Sequence, residues 1–227
     1  MYNHGMDRVP IELDSFHHVY NRGVDKRLVF MDDEDRQVFL FYLNILNDRD
    51  VESQSQLVRA AATHEAPAPG RRLTDICAFC LMGNHFHLLL YECVAGGISK
   101  FMQRLGTAYT MYFNEKYERA GALFQGRFKS RYIDDLAYLM HAVDYMHINP
   151  IAHRVDGQMD LGLVQKRLAH LEKYRWSSYR DFCGQSTYPK ILNLTVLKEY
   201  LDMPNDYRAW LRESFDYENI KEYTIDL

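Results

Sequence analysis

The sequence predicts an α+β fold: an antiparallel sheet with helices packed on one face, followed by a small helical C-terminal tail. Three observations carry that expectation. Short runs rich in aromatic and β-branched residues alternate with stretches of helical periodicity, turn residues separate the runs, and the pattern loosens beyond Pro150. The order is strand, helix, strand, strand, helix, strand, helix, which a ferredoxin-like split βαβ sheet accommodates.

The first strand is expected from Phe16 to Asn21, ending in a turn at Arg22-Gly23. Asp32 and Asp33 can cap the following helix, whose apolar positions Val38, Phe41, Tyr42 and Ile45 recur at helical spacing and fade near Asn47. Residues 60–70, with small side chains and two prolines, read as a mobile surface insertion. Two strands, Asp75 to Met82 and Asn84 to Cys93, flank a turn or bulge at Gly83-Asn84. After Gly96-Gly97, the positions Ile98, Phe101, Met102, Leu105, Tyr109 and Tyr112 trace one face of a long helix, with Lys100, Gln103, Arg104 and Thr107 opposite. Phe124 to Ile133 is expected as a strand, and a helix from Asp134 or Asp135 must stop at Pro150. Further on, Trp176 and Tyr179 can clamp a loop onto the core, and Leu194 to Leu201 and Asp206 to Phe215 read as two short helices.

Composition narrows the class. With 227 residues, 47% hydrophobic and 26% charged, the chain can bury a core, which excludes collagen-like and wholly disordered types. No apolar run is long enough to span a membrane and the start lacks the order of a signal peptide, so a cytoplasmic protein is expected. Its four cysteines are too few and too unevenly placed for a disulfide scaffold, and Cys77 and Cys80, three apart in a strand, are expected on opposite faces. The net charge is −4, yet the span from Gly97 to Arg154 carries eight Lys or Arg against five carboxylates. A mildly basic middle is compatible with a phosphate backbone, although mixed-charge surfaces are common.

Two segments carry candidate chemistry. In His85-Phe86-His87 the two imidazoles share one strand face, a two-point metal grip that packed or surface histidines can also produce. On the last core helix, Leu136, Leu139, Met140, Val143 and Met146 form the apolar stripe, while Tyr145 falls about 200° from Val143 at the helical pitch, near Tyr138, His141 and Asn149. Tyr145 and Asn149 lie one turn apart and can converge on one point. Alternatively, Asn149-Pro150 is a stop signal and Tyr145 a surface aromatic.

Taken together, the segments resemble the single-tyrosine HUH transposases, in particular the REP-associated tyrosine transposases. The likeness runs through His18-Val19-Tyr20-Asn21-Arg22-Gly23, Met82-Gly83-Asn84-His85-Phe86-His87-Leu88-Leu89, Tyr109, Phe113-Asn114, Gln125-Gly126-Arg127-Phe128, Asp144-Tyr145-Met146-His147-Ile148-Asn149-Pro150 and Arg175-Trp176-Ser177-Ser178-Tyr179. The separation of 58 residues between His87 and Tyr145 is also similar. The resemblance implies Tyr145 as the nucleophile, and His85, His87 and Asn149 as ligands of a divalent ion, Mg²⁺ or Mn²⁺; two imidazoles would also suit Zn²⁺. It implies cleavage and rejoining of single-stranded DNA next to hairpins, such as repetitive extragenic palindromes, through a 5′-phosphotyrosine. His147, beside the nucleophile, is a candidate proton relay. Arg127, Lys129 and Arg131 alternate along one strand face, and with Arg22, Lys100 and Arg104 they are the candidate backbone track.

On this basis residues 1–155 form the catalytic core, with 60–70 as an insertion, and 156–227 a C-terminal extension. A homodimer sharing sites is one arrangement that related enzymes adopt, so Tyr145 can meet its own histidines or those of a second copy. Two other functions stay open on sequence alone: a domesticated, non-catalytic protein that binds DNA hairpins, and a phosphodiesterase that uses water.

Overall fold

Phe16–Arg22 forms β1, a strand whose residues are buried on both sides until its last two positions. It pairs antiparallel with β3 (His85–Glu92) on one side and with β4 (Lys129–Ile133) on the other, and β3 pairs with β2 (Thr74–Leu81). The resulting sheet has the order β2-β3-β1-β4. This computed structural model describes residues 11–51, 56, 67, 70–151, 154–155, 158–159 and 169–213. Of the expected 60–70 insertion, all but Pro67 and Gly70 lie outside the described residues, as does the end of the expected last helix at Phe215.

Helix α1 (Asp33–Ile45) starts in a capping box. The Asp32 carboxylate accepts the Asp35 amide at 2.9 Å, and the Asp35 carboxylate accepts the Asp32 amide at 3.4 Å. Its buried face is Phe39, Leu40, Leu43 and Ile45; the expected stripe is corrected, because Val38, Phe41 and Tyr42 are only half-buried. The helix is apolar over too wide an arc for spacing alone to select the inner face.

Helix α2 (Gly97–Lys116) is capped from the preceding strand, where the buried Glu92 carboxylate accepts the Gly97 and Ile98 amides at 3.0 and 2.7 Å. A Cβ on Gly97 would sit 2.0 Å from the Leu73 carbonyl oxygen, so only glycine lets the helix start this close to the backbone. Gly97→Ala is expected to cost about 2 kcal/mol or more by forcing those backbones apart, a loss that urea unfolding would measure.

Helix α3 (Leu136–Ile148) begins at Asp135, whose carboxylate accepts the Ala137 amide at 2.6 Å, and passes into a short turn at Asn149–Ile151. Two-residue strands β5 (Arg154–Val155) and β6 (Gln158–Met159) pair antiparallel as a separate two-stranded sheet, and α4 (Tyr179–Phe182), α5 (Leu194–Tyr200) and α6 (Tyr207–Glu213) follow.

The antiparallel α+β architecture expected from the sequence is present, but its helices are not confined to one face. Val19, Phe86, Leu88 and Leu90 pack with Phe39, Leu43, Phe101, Leu105 and Tyr109 of α1 and α2. Phe16, Leu89, Cys77 and Cys80 pack with Leu139, Val143 and Met146 of α3 and with Tyr179, Leu197 and Leu211 of the C-terminal segment. The reason lies in β3, whose first six residues are all buried: both parities of the strand need a cover. Cys77 and Cys80 share one side because the β2–β3 register shifts between Ile76 and Ala78, which corrects the opposite-face expectation.

β4 is shorter than expected, with Phe124 contributing only an isolated bridge to Gly23. The Trp176 and Tyr179 clamp is realised along the outer edge of β2. There the Leu81 amide donates to the Trp176 carbonyl at 2.9 Å and the Ser178 amide to the Phe79 carbonyl at 3.0 Å. Among the described residues, no helix is long and apolar enough to cross a membrane.

Candidate active site

The site is built on the sheet face that α3 covers. His85 and His87 both point to this face, as the period of a strand requires, and their rings meet edge to face with centroids 5.0 Å apart. His87 is wholly buried and His85 nearly so. Asn84 Oδ1 lies 2.6 Å from His85 Nδ1. An amide oxygen only accepts, so His85 carries its proton on Nδ1 and directs Nε2 elsewhere.

Helix α3 brings its two polar candidates to the same place. The Tyr145 ring stands edge to face against His87, with centroids 5.9 Å apart, and the Asn149 amide lies 3.3 Å from His87 Nε2. Tyr145 is buried and belongs to no surface. The expected division of α3 into an apolar stripe and a polar face is corrected: Tyr138, Asp144, Tyr145 and His147 are buried, while Leu136 is 52% exposed. This helix is wedged between the sheet and the C-terminal segment, so nearly its whole circumference is covered.

What holds α3 in place is a chain of buried hydrogen bonds. Ser178 Oγ, which accepts the Phe79 amide at 3.0 Å, lies 2.8 Å from His147 Nε2; His147 Nδ1 lies 2.8 Å from the Tyr207 hydroxyl. The Tyr207 hydroxyl donates to Asp144 Oδ1 at 2.7 Å, and Trp210 Nε1 donates to Asp144 Oδ2 at 2.9 Å. Every link is satisfied by one proton when Ser178 donates to His147 and His147 Nδ1 donates to Tyr207. Burial holds the His147 imidazole down to about 3, hence neutral, and pushes the Asp144 carboxyl up to about 6 against the Trp210 and Tyr207 hydrogen bonds. His147, the candidate proton relay, has both nitrogens engaged with Ser178 and Tyr207, and so ties the helix to β2 and α6.

The basic residues divide. Lys129 and Arg131 pair across strands with Tyr20 and His18, which places both on the site's face. Lys129 Nζ sits 5.7 Å from the centre of the Tyr20 ring, and the Arg131 guanidinium lies 4.6 Å from that of Tyr138. Arg22 pairs with His85, and its buried Nε has no hydrogen-bond partner among the described residues. Arg127 is not part of β4 and projects from the exposed loop before it, next to Gly126, whose carbonyl accepts from Asn21 at 3.0 Å. Lys100 and Arg104 do not join the site. Both lie on α2 behind the opposite sheet face, and Arg104 donates to the Asp48 carbonyl at 2.8 Å, bracing the chain after α1.

Sequence reasoning missed two side chains. His18 is buried, and its Nε2 lies 2.9 Å from His87 Nδ1. Burial, with the Arg131 charge adding to it, holds the His18 imidazole down to about 3. Tyr20 stands 6.0 Å from His87, ring to ring; burial raises its phenol, the Arg131 cation opposes that rise and the Tyr145 phenol adds to it. The available signal was that Phe16, His18 and Tyr20 share one face of β1; only the strand register shows that they lie beside His87 and Leu89.

Among the described residues, no three His, Cys, Asp or Glu side chains gather as a metal cluster. The converging set is two imidazoles and an amide. Imidazole nitrogen and amide oxygen are both competent donors to a divalent ion, so the set fits one as an open, three-donor site.

Residues 69–148, which span both histidines and Tyr145, match the sequence profile described as IS200-like transposase. That segment of the chain is similar to the IS200-like transposases. A solved REP-associated tyrosine transposase, described as bound to a REP hairpin, has the same fold at 15% identity; the match covers 85% of this chain and 92% of that one, with a TM-score of 0.50. A bacterial tRNA(His) guanylyltransferase (Thg1)-like protein in complex with ATP matches more loosely, at 10% identity over 73% of this chain and 74% of that one, with a TM-score of 0.36. No curated protein matches the sequence. The matched profile ends at Ile148, one residue before Asn149 and well before Tyr207 and Trp210, so the hydrogen bonds that hold α3 reach outside the matched segment.

Proposed function

We propose that this chain cleaves and rejoins single-stranded DNA next to hairpins, with Tyr145 as nucleophile and a divalent ion, Mg²⁺ or Mn²⁺, held by His85, His87 and Asn149. The observation that carries the proposal is that His87 meets both Tyr145 and Asn149 within one chain. The bound ion would act as a Lewis acid on a phosphate oxygen. Tyr145 Oη attacks the scissile phosphorus, its proton passing to water, and the bond to the 3′ oxygen breaks, that oxygen taking up a proton from water. The products are a 5′-phosphotyrosine and a 3′-hydroxyl. Because the ester keeps the bond energy, that hydroxyl can attack it in turn and restore the strand. Arg131, whose charge already acts on Tyr20, is placed to favour negative charge at the phenols, and Arg22 and Lys129 to favour the phosphate.

The test is a covalent adduct. Incubated with single-stranded hairpin oligonucleotides and Mn²⁺, the protein is expected to form a species that resists denaturing electrophoresis, absent with chelator or in Tyr145→Phe. Failure across a broad hairpin library, with binding retained, would leave a non-catalytic hairpin binder; cleavage retained by Tyr145→Phe would point to water as the nucleophile.

A shared site in a homodimer is disfavoured, since α3 docks on its own sheet. Mixing Tyr145→Phe with His87→Ala chains is accordingly expected to restore no adduct, and restoration would mean that two copies exchange α3.

A further inference from the structure

We propose that His18 is the positioning residue for His87: by accepting the Nδ1 proton it fixes the ring with the Nε2 lone pair turned toward Tyr145 and Asn149. This rests on the metal-site assignment above.

Two ring nitrogens 2.9 Å apart, His18 Nε2 and His87 Nδ1, share a single proton. If His18 supplies it, His87 must carry its own proton on Nε2 and has no lone pair there. If His87 supplies it, Nε2 is free to accept. The second contact of His87 selects between the two, because the amide nitrogen of Asn149, a donor only, faces Nε2 at 3.3 Å. His87 therefore donates through Nδ1 to His18. His85 is set in the same sense by a different residue, the Asn84 oxygen at its Nδ1. Both imidazoles of the pair thus have Nδ1 tied and Nε2 presented, the arrangement by which a ring orients a coordinating nitrogen.

His18 is suited to this task and unsuited to being a third ligand. Its Nε2 is taken up by His87, and it sits between Leu89 and Arg131 in the register of the sheet, locked by pairing on both sides of β1. The strand thereby fixes the acceptor without a loop.

Two measurements test the proposal. In the metal-free protein, long-range ¹H–¹⁵N spectra of the imidazoles at pH 8 are expected to show His87 protonated on Nδ1, and a proton on Nε2 would overturn the proposal. In Mn²⁺ titrations followed by electron paramagnetic resonance, His18→Phe is expected to bind about 10- to 100-fold more weakly than the unaltered chain. His18→Gln, whose amide oxygen can accept the same proton, is expected to recover most of that affinity. Equal affinity of His18→Phe and the unaltered chain would overturn the proposal, as would His18→Gln binding no better than His18→Phe. If His18→Phe fails to fold, the spectra of the unaltered chain and the titration of His18→Gln decide. An unaltered chain that binds no Mn²⁺ would refute the metal site itself, a result told apart from failure of the positioning role by the spectra, which need no ion.

Discussion

His87→Ala is expected to slow single-turnover strand cleavage by about a thousand-fold or more while leaving hairpin binding nearly unchanged. The expectation follows from where the ring sits. His87 is the side chain on which the imidazoles, phenols and amide of the site converge: His18 at Nδ1, Asn149 at Nε2, and the rings of Tyr145, Tyr20 and His85 about its own. Its loss removes one of the two imidazoles proposed to hold the ion and with it stabilisation of charge developing on phosphate, an effect of about 10²–10³ for even a single well-placed donor. Arg22 and Lys129, the cations proposed to favour the phosphate, are untouched, so anisotropy titrations with a labelled hairpin should move little. Cleavage within ten-fold of the unaltered rate would remove His87 from the reaction. Thermal unfolding of the variant separates this effect from simple loss of the fold.

Asp144→Ala is expected to destabilise the chain by about 3 kcal/mol, because it strips two buried donors, the Tyr207 hydroxyl and Trp210 Nε1, of the acceptor they share. Denaturant unfolding measures the loss, and Trp210 fluorescence reports its site. The carboxylate also leaves a pH signature whose sign is fixed. Its folded value is about 6 against an ordinary 3.8, so between those values the folded chain binds the proton more tightly than the unfolded chain. Stability contributed by this group is therefore greatest below about pH 4, declines as pH rises toward 6 and is level above, by about 3 kcal/mol in all. Asp144→Ala should abolish that slope; a slope unchanged in the variant would assign it to other groups.

Much of this was legible in the residues. The pairing of β2 with β3 follows from two apolar runs around Gly83-Asn84, and the shared direction of His85 and His87 needs only the two-residue period of a strand. The one-turn spacing of Tyr145 and Asn149 likewise survives into the structure. What was not legible depends on partners remote in sequence. The inner face of α1 was mistaken because Phe39 and Leu43 are chosen by Phe30, Phe86 and Tyr109, not by local spacing. Tyr145 read as peripheral because its helix was given one partner, the sheet, whereas the C-terminal segment supplies a second. Lys100 and Arg104 look like a cationic helix face in sequence, yet the sheet stands between them and the histidines. His18 stands in the first segment of the family likeness, but its place beside His87 lies in the register of the strands.

The sheet order leaves β4 as an outer strand, and its outer margin, unpaired by any strand among the described residues, is a template on which an extended chain could assemble. Lys129 and Arg131, both exposed, stand on that strand, so two charges proposed to act at the active site would also repel a second sheet. The opposite margin, along β2, needs no such guard because Trp176 to Ser178 and Asn193 already hydrogen-bond to it. Replacing both cations with threonine would accordingly do more than weaken the proposed grip on nucleic acid: it would open that border of the sheet to aggregation.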